Sequence, residues 1–140
     1  MKPFLKTMIA LLLPVSMVTP GLSQSSQYIK GDDIKNLAAG RSWAISFVGN
    51  PDNPNLTLIW DFRKNGSICA RAAGQDRGEK CADEGSWAVK GDMMCWDLKW
   101  LGKSVGFKTA CSLVRKVSED RFDLYNENMP EVRFAALRLL

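Results

Sequence analysis

From Arg41 onward, apolar residues recur at every second position in short runs broken by turn residues, a period that suits strands joined by tight connections. Trp43, Ile45 and Phe47 alternate with Ala44, Ser46 and Val48; Leu56, Leu58, Trp60 and Phe62 alternate with Thr57, Ile59, Asp61 and Arg63. Successive side chains of a strand point to opposite sides, so each set defines one buried face. Ahead of this region only "DDIKNLAAG" has helical spacing. Ile34, Leu37 and Ala38 share one side of it, Asp32 or Asp33 is the expected N-cap, and Gly40 stands just past its end.

The turns set the registers. "RKNGS" after Phe62 admits a two-residue Asn-Gly loop or a three-residue loop from Lys64 to Gly66. The first would turn Ile68 away from the apolar side. The second sets Phe62 opposite Ile68 and Trp60 opposite Ala70, and is therefore expected. A two-residue turn at Gly91-Asp92 pairs Val89 with Met94 and Trp87 with Trp96. In the following hairpin, whose second strand runs from Phe107 to Val117, one register brings Cys95 to Cys111, Trp96 to Ala110 and Asp97 to Thr109. It predicts a cross-strand disulfide Cys95–Cys111 on the outer face or rim. Cys69 and Cys81 then close the polar loop "ARAAGQDRGEK", each bridge adding about 3 kcal/mol by the chain-entropy argument.

Two more strands are expected at Arg121–Asn126, with Phe122 and Leu124 inward, and at Val132–Leu139, with Val132, Phe134 and Ala136 inward. Eight short antiparallel strands in sequential hairpins predict an all-β fold, an eight-stranded antiparallel up-and-down barrel with one short N-terminal helix and two disulfides. A two-sheet sandwich of the same strands is the alternative.

Lys2 and Lys6 precede an apolar run from Met8 to Val18, and the small residues Gly21 and Ser23 follow it. Residues 1–23 read as a secretory signal peptide cleaved after Ser23, 24–31 as a flexible lead-in and 32–140 as the barrel domain. The run falls short of the roughly 20 apolar residues of a membrane span, and Pro14 interrupts it. A periplasmic or secreted destination is oxidising, so four cysteines in a short chain read as two bridges. Without Lys2 and Lys6, seventeen basic residues face fifteen acidic ones and the formal charge falls from +4 to +2. The basic residues are scattered among acids, which argues against a nucleic-acid partner.

The sequence contains no histidine. Ser-His-Asp and Cys-His nucleophilic centres are thereby excluded, and the cysteines are assigned to bridges rather than to chemistry or zinc. The acidic pairs Asp32/Asp33 and Asp83/Glu84 are neighbours in sequence, so the first reads as helix-start charge and the second as two side chains on opposite faces of a strand. "GRSWAISFVGN" lacks the Lys-Ser/Thr ending of a phosphate loop. No catalytic residue, cofactor or metal is expected, and the chain reads as a non-enzyme.

The helix leading into "LAAGRSW", the turn "KNG", and "GSWAVKGDMMCWDLKW" followed by a second cysteine resemble small secreted bacterial β-barrel proteins, many of unknown function. These are lipocalin-like in plan, and similar also to the barrels of periplasmic inhibitors of secreted metalloproteases. Lipocalins open their first strand with Gly-x-Trp; here Gly40-Arg41-Ser42-Trp43 is one residue longer. The inhibitor barrels reach their protease through an N-terminal trunk, a part that residues 24–31 would play.

The expected function is a non-catalytic binding or inhibitory module for an envelope or secreted protein partner, contacted through 24–31 and the loops 49–55 and 73–80. The alternatives are a carrier of a small apolar ligand inside the barrel and an envelope structural protein. For a carrier, Trp43, Trp60, Trp96 and Trp100 would line the ligand, with Arg41 near them; Arg41, Arg133 and Arg138 would ring an opening and attract a carboxylate or phosphate ligand, against the competing reading of solvated arginines with Arg133 outside. The competing reading puts all five tryptophans, Trp87 included, on the inner face as packing, Trp100 being nearest to a loop.

Overall fold

The structure is a computed structural model, and it describes residues 28–48, 57–75, 78, 80–101 and 108–140. The expected signal peptide, residues 24–27 and the loop 49–55 lie outside the described residues. Strand β1 (Tyr28–Ile29) is followed by helix α1 (Gly31–Ala38). Eight strands then follow: β2 (Arg41–Phe47), β3 (Thr57–Phe62), β4 (Ser67–Ala72), β5 (Asp83–Lys90), β6 (Met93–Leu98), β7 (Thr109–Lys116), β8 (Arg121–Asn126) and β9 (Met129–Leu139).

Each of β2 to β8 pairs antiparallel with its successor, and β9 pairs back onto β2, so the sheet closes as an eight-stranded up-and-down barrel. Closure leaves none of the eight with a long unpaired edge. The predicted registers are present. Phe62 faces Ile68 and Trp60 faces Ala70 across the three-residue turn, where Gly66 takes the left-handed conformation (φ 83°) that a side chain would resist. Trp87 faces Trp96, and Cys95 faces Cys111. Both disulfides are formed, Cys69–Cys81 with Cα atoms 5.2 Å apart and Cys95–Cys111 with 4.0 Å.

Three expectations are corrected. The helix begins before Asp32: the Lys30 carbonyl accepts the Asp33 and Ile34 N–H groups, so Lys30 is the N-cap, without a side-chain bond. Asp32 and Asp33 stand in the first turn instead, where their charge suits the positive end of the helix. Part of the lead-in is ordered, because Tyr28 and Ile29 pair with Arg115 and Val114 of β7. Tyr28 also packs edge-on against Tyr125 and donates its hydroxyl to the Pro130 carbonyl at 2.6 Å.

The third correction concerns β9. Phe134 packs against the core and Trp96 as expected, but the other inward residues are Ala135 and Leu137, with Leu139 packed against the core, while Val132 is exposed and Ala136 faces outward. The cause is a bulge: Leu124 pairs with Ala135 but Tyr125 pairs with Arg133, so Phe134 is the extra residue and alternation changes phase across it.

The core is a chain of rings. Trp43 meets Phe122, Trp60 meets Trp96 and Phe62 meets Trp87, all edge-to-face at centroid distances of 5.3 to 5.4 Å. Helix α1 covers one end with Ile34 and Ala38, packing against β2, β5 and β6. We call this the helix end. At the opposite loop end the chain leaves the barrel after β2, β4, β6 and β8.

Candidate functional site

Of the tryptophans proposed to line a ligand, the structure keeps three together. Trp43 and Trp60 are 1% exposed and Trp96 is 2% exposed, and all three sit in the aromatic core. Trp87 joins them, its indole N–H donating to the Arg63 carbonyl at 2.9 Å. Trp100 departs from the expected inner face: it is 55% exposed at the loop end. Strand β6 ends at Leu98, and alternation cannot be extended past it. The arginines do not ring one opening. Arg41 begins β2 at the helix end, Arg133 lies near the loop end of β9, and Arg138 pairs in register with Arg121 on the outer wall.

What holds Trp100 out is a buried carboxylate that sequence reading placed only as one member of an acidic pair. Asp83 starts β5 on the same face as Gly85 and Trp87 and is itself buried. Its Oδ2 accepts the backbone N–H groups of Trp100 at 3.0 Å and Leu101 at 2.7 Å, while Oδ1 accepts the N–H of Glu84 at 2.8 Å. Burial alone would raise its carboxyl, but the N–H groups of Leu101, Trp100, Glu84 and Lys99 outweigh burial and hold it below the ordinary carboxylate value. The charged form therefore anchors the exit of β6 onto β5.

The same two strands approach closely at Gly85. A Cβ there would run into the Asp97 carbonyl oxygen and lie 2.9 Å from the Leu98 Cα, so only glycine fits. Leu101 turns back against the core, leaving the Trp100 ring outward. Glu84 and Lys99 pair across the outside of this corner at 3.6 Å. On the next strand, Asp97 accepts the Thr109 hydroxyl at 2.6 Å and lies 3.5 Å from Lys108, and these two neighbours, in that order of effect, hold its carboxyl low. Val48, Met129 and Val132 are further exposed apolar side chains at the loop end.

The loop after β4 is organised from beneath. Arg71 is 2% exposed although it points to the outer side of the wall. Its guanidinium grips both oxygens of Asp61, at 2.9 and 3.1 Å, and donates to the Gln75 carbonyl at 3.1 Å. Ser42 adds a hydroxyl to the same Asp61 carboxylate. The Cys69–Cys81 bridge spans this loop, and Arg63 reaches the Cys81 sulfur at 3.6 Å.

Inside the barrel, the indole N–H groups of Trp43 and Trp60 and the Ser112 hydroxyl have no hydrogen-bond partner among the described residues. Among those residues no three of His, Cys, Asp and Glu gather as metal ligands. No described helix is long and apolar enough to cross a membrane. No family model matches the chain, and no curated protein or solved structure matches it either.

Proposed function

We propose that the protein is a secreted or periplasmic, non-catalytic binding module that recognises a protein partner through the loop end of its barrel, with Trp100 as the anchor. One observation carries the reading: a tryptophan more than half exposed, on a turn whose backbone is fixed by a buried carboxylate. Water gains nothing from an exposed indole, whereas a partner pocket gains a large apolar contact whose backbone is already ordered. Exposed Val48, Met129 and Val132 at the same end add apolar surface of the kind that interfaces use. Two disulfides suit an oxidising compartment.

The test is site-specific photocrosslinking in the native compartment. A photoreactive side chain at position 100 should yield one discrete protein adduct, and the same group at Val117, exposed at the helix end, should not. Equal adducts at both positions, or none at 100, would refute the proposal.

The carrier reading keeps one supporting observation, the unpartnered indole N–H groups of Trp43 and Trp60 in the interior. A buried donor without an acceptor costs about 1–3 kcal/mol, which a small apolar ligand bearing one acceptor atom would recover. Saturable quenching of tryptophan emission by such a ligand, retained in Trp100→Ala, would favour it over partner recognition.

A further inference from the structure

Several charged groups on the outer wall have found opposite charges. Arg71 holds Asp61, Arg115 and Arg133 share Asp123, Lys99 holds Glu84 and Lys108 holds Asp97. The groove of about 470 Å³ over β5 and β6 is lined by the last two of these pairs and by Arg63, whose guanidinium reaches the Cys81 sulfur at 3.6 Å.

Arg121 and Arg138 face a like charge instead. They are directly opposite each other across β8 and β9, both are exposed, and among the described residues neither makes an ion pair. Like charges directly opposite destabilise a sheet unless something neutralises them. Beside them runs a groove of about 570 Å³ whose floor is small, Ala44 and Ala136, so the two guanidinium groups border a recess.

The rest of the groove narrows the ligand. Ser46 lines it two residues beyond Ala44 along β2, about 7 Å away at the rise of a strand, with Thr57 opposite it on β3, and their hydroxyls share one hydrogen bond of 3.0 Å. That bond uses one hydroxyl proton and leaves the other free, together with acceptor lone pairs. Asp120 lines the groove next to the arginines and accepts the Ser118 hydroxyl at 2.9 Å. Its carboxylate repels a second anionic group but accepts from a hydroxyl. We infer that this groove binds a phosphate monoester of a small polyol, with the phosphate between Arg121 and Arg138 and the hydroxylated body toward Asp120, Ser46 and Thr57. Two planar forks on one oxyanion turn the repulsion between the arginines into charge-assisted hydrogen bonds. The groove is separate from Trp100, so this inference does not rest on the proposed function.

The test is titration of the full chain with glycerol 3-phosphate, inorganic phosphate and glycerol, followed by calorimetry and by amide shifts of Ser46, Arg121 and Ala136. Glycerol 3-phosphate should bind saturably and more tightly than inorganic phosphate, with glycerol alone not binding. Arg121→Ala and Arg138→Ala should each weaken it by at least about tenfold. Arg138→Lys should weaken it less, and Arg133→Ala, whose guanidinium belongs to Asp123, should leave it unchanged. All four variants change exposed side chains and should unfold cooperatively like the parent. Absence of saturable binding, undiminished affinity in both alanine variants, or equal affinity for the two phosphates would overturn the inference.

Discussion

Replacing Asp83 by alanine removes the acceptor of three backbone N–H groups at once, those of Glu84, Trp100 and Leu101. A hydrogen bond to a charged group contributes about 1.5–3 kcal/mol, but the three do not count equally. Trp100 is exposed, so its N–H can be rehydrated once the anchor is gone, and Glu84 is exposed too. Leu101 is half-buried against the core and keeps most of its loss. A total near 3 kcal/mol follows, or a fall of roughly 10–15 °C in melting temperature for a domain of this size. Asp83→Asn keeps one acceptor oxygen and should lose about half as much. The pH dependence has a definite sign. The folded carboxyl is held below its unfolded value, so its stabilisation is complete above the unfolded pKa of about 3.9 and is lost as pH falls through the lower folded value. The difference between parent and Asp83→Ala, measured by urea unfolding, should be largest near neutrality and shrink in strong acid. A deficit below about 1 kcal/mol, or one that stays constant from pH 7 to about pH 2.5, would refute the assignment of Asp83 as the charged anchor of the Trp100 turn.

Gly85→Ala places a methyl group against the Asp97 carbonyl and should destabilise by about 2–3 kcal/mol in denaturant unfolding, with a parental value showing that β5 and β6 can separate there at little cost. Asp61→Ala strands the buried Arg71 guanidinium and should lower stability by about 3–5 kcal/mol, whereas the double change Asp61→Ala/Arg71→Met should recover most of it; the comparison is of unfolding midpoints. Thr109→Ala removes the hydroxyl that does most to hold the Asp97 carboxyl low, so that carboxyl should titrate at higher pH in carbon-detected NMR.

The hairpin registers were legible because two independent constraints agreed. Turn length offers only a few pairings, and one-residue slips move every apolar side chain to the wrong face, which singled out Phe62 with Ile68 and Cys95 with Cys111. Where a bulge intervenes the second constraint fails. The extra residue at Phe134 leaves no mark in composition, so Val132 and Ala136 were assigned to the wrong side while Ala135 and Leu137 fill the core. Trp100 was misplaced for a related reason: alternation continues in the sequence beyond Leu98, but the backbone turns at Lys99 under the pull of Asp83. That pull joins residues seventeen positions apart and has no local signature. The pairing of Arg121 with Arg138 was equally hidden, because it depends on the register of β8 against β9 on the far side of the bulge.

The distribution of covalent staples separates the two ends of the barrel. The connections at the helix end are tight: the β3–β4 turn is sealed by Gly66 N–H on the Arg63 carbonyl, and Val117 and Ser118 both donate to the Arg121 carbonyl at the β7–β8 turn. Such turns close little chain and would gain least from a crosslink. Both disulfides instead span connections at the loop end, Cys69–Cys81 across the β4–β5 loop and Cys95–Cys111 across the β6–β7 loop that begins at Trp100. Shorter loops would satisfy the same strand pairing without any bridge, so folding alone does not require these lengths. The staples, the Arg71–Asp61 grip and the Asp83 anchor fix the described residues at the ends of these loops. Loop ends held from several sides suit recognition, since each degree of freedom removed before contact need not be removed on binding. Such restraint favours the loop end, beside Trp100, as the place of the proposed partner surface.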